Sequence, residues 1–197
     1  MNIANKLTVI RLCSVPVFII LMLLPTSVLN PKIAYAIGAL LFIGASITDA
    51  LDGHLARKHN LITDFGKFFD PLADKFMVIG ALFIILYRFE SIRLYVLILT
   101  IAVVFRELAV TSARLVASTS KDNVVIPANM VGKVKTVFQI IFVSSVLIEH
   151  VLWADLIPSF LYGCPVSIIS MVATLILTVW SGIIYIRECW KYIDTNK

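Results

Sequence analysis

Six apolar stretches, at about 8–25, 33–56, 66–87, 92–117, 130–152 and 165–188, account for most of this 197-residue chain. Each approaches or exceeds the roughly 20 residues that a helix needs to cross the hydrocarbon of a bilayer. Hydrocarbon leaves no backbone N–H or C=O unsatisfied, and a helix pairs all of them within itself. The pattern therefore predicts an all-α integral membrane protein of six transmembrane helices. Composition agrees, with 60% hydrophobic and 15% charged residues, against about half and a quarter in soluble domains. The breaks, at 25–31, 59–63, 89–91, 118–127 and 155–165, are too short for a second domain, so 1–197 reads as one membrane domain. The N-terminus has basic residues before an apolar run, like a signal peptide. No small-x-small cleavage site follows, and the same hydropathy recurs throughout, so it reads as the first span.

Basic residues give the orientation, because cytoplasmic loops are enriched in Lys and Arg. Fourteen of the 17 fall at one side, from Lys6 and Arg11 to Lys191 and Lys197, and only Lys32, Arg88 and Arg93 at the other. Both termini are thus expected in the cytoplasm, as an even number of spans requires. The net charge of +5 then reflects cytoplasmic loops and a site for anionic substrates, with no nucleic-acid partner. Cys13, Cys164 and Cys189 lie far apart with no CxxC spacing, which argues against a disulfide framework or a zinc site.

Against this apolar background, residues 49–74 read DALDGHLARKHNLITDFGKFFDPLAD. Asp49 and Asp52 are three residues apart and Asp70 and Asp74 four, so each pair shares a helix face. A short loop at 59–63 makes the two helices antiparallel neighbours, and four carboxylates can converge at the cytoplasmic boundary. Gly53, Ala56 and Gly66 lack bulk and allow close approach of a helix or ligand. Solvated charges, or ion pairs with Arg57, Lys67 and Lys75, are the plainer reading. However, an aspartate in a spanning helix costs about 2.5–3.5 kcal/mol, and like charges on one face repel. A cation relieves both, and carboxylate oxygens are hard ligands suited to Mg²⁺ or Mn²⁺.

The stretch fills every fixed position of D-x2-D-G-x2-A-R-x8-G-x3-D-x3-D. In this it resembles the CDP-alcohol phosphatidyltransferase family, and the six-helix hydropathy extends the likeness to nearly the whole chain. The resemblance implies transfer of a phosphatidyl group from CDP-diacylglycerol to an alcohol, with release of CMP. It implies that Asp49, Asp52 and Asp70 hold divalent metal at the diphosphate. Asp74 is then the general base on the acceptor hydroxyl and also touches metal. Gly53, Ala56, Arg57 and Gly66 fall on the CDP-diacylglycerol side, Gly53 and Arg57 where the family binds the cytidine nucleotide. A homodimer in the cell membrane is implied as well.

A second constellation bears on the acceptor. Arg106 and Arg114 lie eight residues apart, close to one helix face, Lys133 and Lys135 open the fifth helix, and Thr8 and Arg11 stand three apart near the N-terminus. Some of these cations could merely set topology by snorkelling. Arg106 fits that poorly, being about two turns inside the fourth helix, and Glu107 beside it can pair with a neighbouring cation. Converging Arg and Lys suit a phosphorylated acceptor. Within the family, RE-x3-T-x2-R followed by GK-x-KT resembles members that take glycerol 3-phosphate. Arg106, Arg114, Lys133 and Lys135 are thus expected at its phosphate, with Thr8 and Arg11 closing the pocket. Ala4 departs from the Pro of many relatives, which concerns helix entry only.

Other acceptors, among them inositol phosphate, serine and phosphatidylglycerol, remain alternatives, as does a cation transporter. A transporter usually sets its ion site near the midplane, between related halves, whereas these carboxylates occupy one hairpin at one boundary. His54, His59 and His150 lack metal-ligand spacing. Ser144, Ser145, Ser170 and Ser181 read as helix-packing contacts.

Overall fold

The computed structural model describes the backbone of residues 3–58, 64–119, 129–153 and 165–190, and the side chains of 7–49, 66, 68–116, 129–152 and 166–190. The described residues form six helices and no strand: α1 (Ile3–Leu23), α2 (Pro31–Lys58), α3 (Asp64–Arg88), α4 (Arg93–Thr119), α5 (Met130–Trp153) and α6 (Pro165–Trp190). A 3-10 turn at Glu90–Ile92 joins α3 to α4. The expected breaks at 59–63 and 155–164, and most of that at 118–127, lie outside the described residues.

Local chemistry fixes several helix ends. Pro31 and Pro165 open α2 and α6, where a preset φ helps and the missing N–H is no loss. Asn30 caps α2, its Oδ1 accepting the Lys32 N–H at 3.0 Å, and Asn129 does the same for α5 through the Val131 N–H at 3.3 Å. At the end of α1, Arg88 of α3 donates from Nε to the Met22 carbonyl and from Nη2 to the Leu24 carbonyl, both at 2.5 Å. Met22 is in the last turn of α1, whose carbonyls have no partner within the helix, and Leu24 directly follows its end.

The core is built from one face of each of five helices: Val15 and Phe18 of α1, Phe42 of α2, Leu82 and Ile85 of α3, Leu99 and Val103 of α4, Phe142 and Leu147 of α5. The sixth helix packs on α4 and α5 through a different chemistry. Ser170, Thr174, Thr178 and Ser181 are buried there, each hydroxyl donating to a carbonyl in the preceding turn. Small hydroxyl residues let apolar helices approach closely and carry their own acceptors. Ser170 and Ser181 are thus packing residues. At the opposite end, His150 packs against Tyr35 and Phe89, also a packing role.

Among the described residues, four stretches are long and apolar enough to cross a membrane: Pro31–Asp49, Glu90–Val116, Met130–Leu152 and Val166–Trp190. Leu7–Leu23 is a shorter apolar segment. α3 is not among them, because its first half carries Asp70, Asp74 and Lys75.

Candidate active site

The carboxylates meet around α1. Asp49 lies in the second half of α2, and Asp70 and Asp74 lie one turn apart in the first half of α3. α1 packs on both of these helices and delivers two polar side chains to them. Thr8 Oγ1 donates to Asp70 Oδ1 at 2.6 Å. Arg11 Nη1 reaches Asp49 Oδ1 at 2.6 Å and Asp74 Oδ1 at 3.2 Å. Thr8 and Arg11 are each only 2% exposed, so α1 closes one side of the cluster. Asp74 is also within hydrogen-bonding reach of Asp49 and close enough to Asp70 to feel its charge. Among the described residues, no three Asp, Glu, His or Cys side chains form a ready-made metal cluster. The guanidinium of Arg11 is the cation between Asp49 and Asp74. α2 continues through Asp52, Gly53, Ala56 and Arg57, whose side chains lie outside the described residues. Gly66 is buried near the start of α3.

Asp74 has a second neighbourhood. With Lys75 it lines a cavity of about 210 Å³ between α3, α4 and α5, whose wall includes Arg106, Glu107, Lys135, Thr136 and Gln139. That volume is below the roughly 300 Å³ lower end for drug-sized ligands. It suits a small polar molecule. Lys135 is 2% exposed. An ammonium at that depth needs a partner, and Lys135 Nζ donates to Glu107 Oε1 at 2.5 Å. The same oxygen accepts from Arg106 Nη1 at 2.8 Å. Glu107 therefore pairs with both cations and holds them side by side. Arg106 Nε donates to Ser181 Oγ of α6 at 3.1 Å. A Cβ at Gly132 would stand 3.0 Å from Arg106 Nη2, so the glycine leaves the guanidinium room against α5. Lys75 Nζ is hydrogen-bonded to Thr111 Oγ1.

The expected acceptor residues thus divide. Arg106 and Lys135 face one cavity, and Thr8 and Arg11 reach the carboxylates. Arg114 is not among the residues lining this cavity. Its Nη2 donates to the Tyr185 hydroxyl, and its guanidinium carbon lies 5.1 Å from the centre of that ring, with that of Arg106 at 5.7 Å. Lys133 is exposed on α5 and is not part of the wall. Lys75, Glu107, Thr136 and Gln139 were not expected there. Helical spacing held a signal for one of them, since Gln139 is four residues beyond Lys135.

Carboxylates on one side of Asp74 and paired cations on the other, set among apolar helices, define a helical membrane-type enzyme that handles anionic groups. The chain belongs to the CDP-alcohol phosphatidyltransferase family, whose model matches residues 1–180. It is 40% identical over 202 aligned positions to a protein of Bacillus subtilis (strain 168) named CDP-diacylglycerol–glycerol-3-phosphate 3-phosphatidyltransferase, with 99% of this chain and 98% of that one covered. A protein of the same name from Rickettsia felis is 37% identical, with 97% of each chain covered. A Mycobacterium tuberculosis protein named probable phosphatidylglycerophosphate synthase is 34% identical, with 98% of this chain and 83% of that one covered.

Proposed function

We propose that the chain transfers the phosphatidyl group of CDP-diacylglycerol to glycerol 3-phosphate, giving phosphatidylglycerophosphate and CMP. The observation that carries this reading is the position of Asp74, which belongs both to the carboxylate cluster and to the wall of the cationic cavity. A base that serves both substrates must stand where they meet.

In the proposed reaction the acceptor's primary hydroxyl attacks the phosphorus that bears the diacylglycerol. The new P–O bond forms as the P–O bond to CMP breaks. Asp74 takes the hydroxyl proton, which requires it to stand within hydrogen-bond reach of that group. Arg106, Lys135 and Lys75 supply donors for the acceptor's phosphate, the guanidinium as a planar fork and the ammonium groups as point charges. Glu107 fixes Arg106 and Lys135 before substrate arrives, which reduces the reorganisation left for binding. Thr8 and Arg11 hold Asp70, Asp49 and Asp74 against α1.

Asp49, Asp52 and Asp70, with Asp74, would hold Mg²⁺ or Mn²⁺, which neutralises the donor's diphosphate and the leaving CMP. Their hard oxygen donors suit such ions, and the excess of negative charge around Arg11 fits a cation there. Gly53, Ala56, Arg57 and Gly66 would lie against CDP-diacylglycerol, with Arg114 and Lys133 as outer cations for incoming phosphate. Six crossings, both termini and the site on the cytoplasmic side, and a homodimer in the cell membrane complete the proposal.

The test is an acceptor panel. Purified protein receives CDP-diacylglycerol, Mg²⁺ or Mn²⁺, and either glycerol 3-phosphate, inositol phosphate, serine or phosphatidylglycerol, with CMP and lipid product identified by mass spectrometry. Phosphatidylglycerophosphate is expected from glycerol 3-phosphate alone. A different preferred acceptor would overturn the assignment, and no CMP release with any of them would overturn the reaction.

A further inference from the structure

Gln139 has no part in the reaction as described so far. It lies four residues after Lys135 on α5, so both side chains leave the same helix face, about 6 Å apart along the axis. Each is 2% exposed. Lys135 has a partner in Glu107, whereas Gln139 Nε2 has no hydrogen-bond partner among the described residues. Buried polar groups are nearly always paired, and an exception calls for a cause. The residue lines the cavity that also presents Asp74, Arg106 and Lys135. A ligand in that cavity is the nearest source of the missing partner.

The chemistry of the wall says which part of a ligand that is. Its cations match an anionic group, and Asp74 matches a hydroxyl that must lose a proton. Glycerol 3-phosphate has one further polar group, the secondary hydroxyl of its three-carbon chain. A neutral hydroxyl is best met by a neutral group that can both donate and accept, and a carboxamide does both. Either end of the amide serves, because the hydroxyl also donates and accepts. We infer that the Gln139 carboxamide hydrogen-bonds the secondary hydroxyl of the acceptor, selecting a phosphorylated polyol over a simpler phosphorylated alcohol. The inference rests on reading the cavity as the acceptor site, and it makes Gln139 a specificity-determining residue.

The test compares glycerol 3-phosphate with 3-hydroxypropyl phosphate, which has the same chain and phosphate but no secondary hydroxyl. CMP release from CDP-diacylglycerol is measured for the full chain in detergent with Mg²⁺, and for Gln139→Met, which keeps the volume and removes the amide. The wild type should favour glycerol 3-phosphate by roughly 10- to 100-fold in kcat/KM, the range for a hydrogen bond lost in a buried site. Gln139→Met should bring the two acceptors to within about threefold by losing rate on glycerol 3-phosphate alone. No protein hydrogen bond is removed, so the variant's thermal unfolding temperature should not fall, and Gln139→Leu is the second variant should Gln139→Met not fold. An unchanged preference in the variant, or an equal loss on both acceptors, overturns the inference and leaves Gln139 with a phosphate or packing role. A wild type indifferent to the hydroxyl overturns it too. If the wild type releases no CMP with either acceptor, the proposed reaction fails first and takes the inference with it.

Discussion

Asp74 and Asp70 sit one turn apart on α3 and should respond differently to the same change. Asp74→Asn keeps the shape and removes the base. Turnover should fall by about 10²- to 10⁴-fold, while CDP-diacylglycerol still binds in the presence of Mg²⁺. A parallel loss of donor affinity would leave Asp74 only its metal contact and remove it as the base. Asp70→Asn should instead raise the Mg²⁺ concentration for half-maximal rate by at least about tenfold, the lower bound seen even for groups one shell further out. Mg²⁺ titration of initial rates separates the two. The carboxylates could be picked out in the sequence because i+3 and i+4 spacing on two helices joined by a short loop dictates which faces they share. What could not be read was their engagement by Thr8 and Arg11. That depends on the rotation of α1 against α2 and α3, which no local spacing encodes. Glu107 was read as pairing with a neighbouring cation, and it does so with Arg106; that its second partner is Lys135 of α5 depends on helix packing in the same way.

At the scale of elements, hydropathy located the helices better than their ends. The first apolar stretch was read from about 8 and the helix begins at Ile3; the second was read to about 56 and the helix runs to Lys58. Polar residues such as Asn5 and Lys6 lower hydropathy without preventing a helix. Ends are set by capping contacts, some of them distant in sequence. Arg88 is the clearest case. It read as one of three cations on the sparse side of the chain, and in the structure it ties the end of α3 to the carbonyls of Met22 and Leu24, at and just past the end of α1. Arg88→Leu should therefore destabilise the fold by about 1.5–3 kcal/mol, the range for hydrogen bonds to a charged group. KM for both substrates should be unchanged, because the contact lies at the opposite end of the helices from Asp74. Thermal unfolding in detergent, set beside initial-rate kinetics, checks both parts. A variant as stable as wild type would show the contact to be energetically idle.

For the whole molecule, the number of crossings and the side of the N-terminus turn on α1. Its apolar segment, Leu7–Leu23, is shorter than the other four candidates. The helix itself has 21 residues, which at 1.5 Å each gives about 31 Å, close to the roughly 30 Å of the hydrocarbon core. If α1 crosses, its start lies opposite the connection between α1 and α2. If α1 lies flat on the surface, the two lie on the same side. Its buried face favours crossing: Val15, Phe18 and Met22 pack into the same core as Phe42 and Leu82. A helix seated along the core cannot lie in the interface plane without leaving it. Charge points the same way, since Arg88 and Arg93 on the sparse side are engaged by carbonyls and by Glu90, while exposed Lys133 stands on the basic side. Two single-cysteine variants decide the matter in a background where Cys13, Cys164 and Cys189 are replaced by Ser. Ser27→Cys, exposed in the α1–α2 connection, should react with a membrane-impermeant maleimide in intact cells. Asn5→Cys, in the first turn of α1, should react only after permeabilisation. Equal labelling of both in intact cells, or of neither, would mean that α1 does not cross. Labelling of Asn5→Cys alone would invert the chain and place the proposed site outside the cytoplasm.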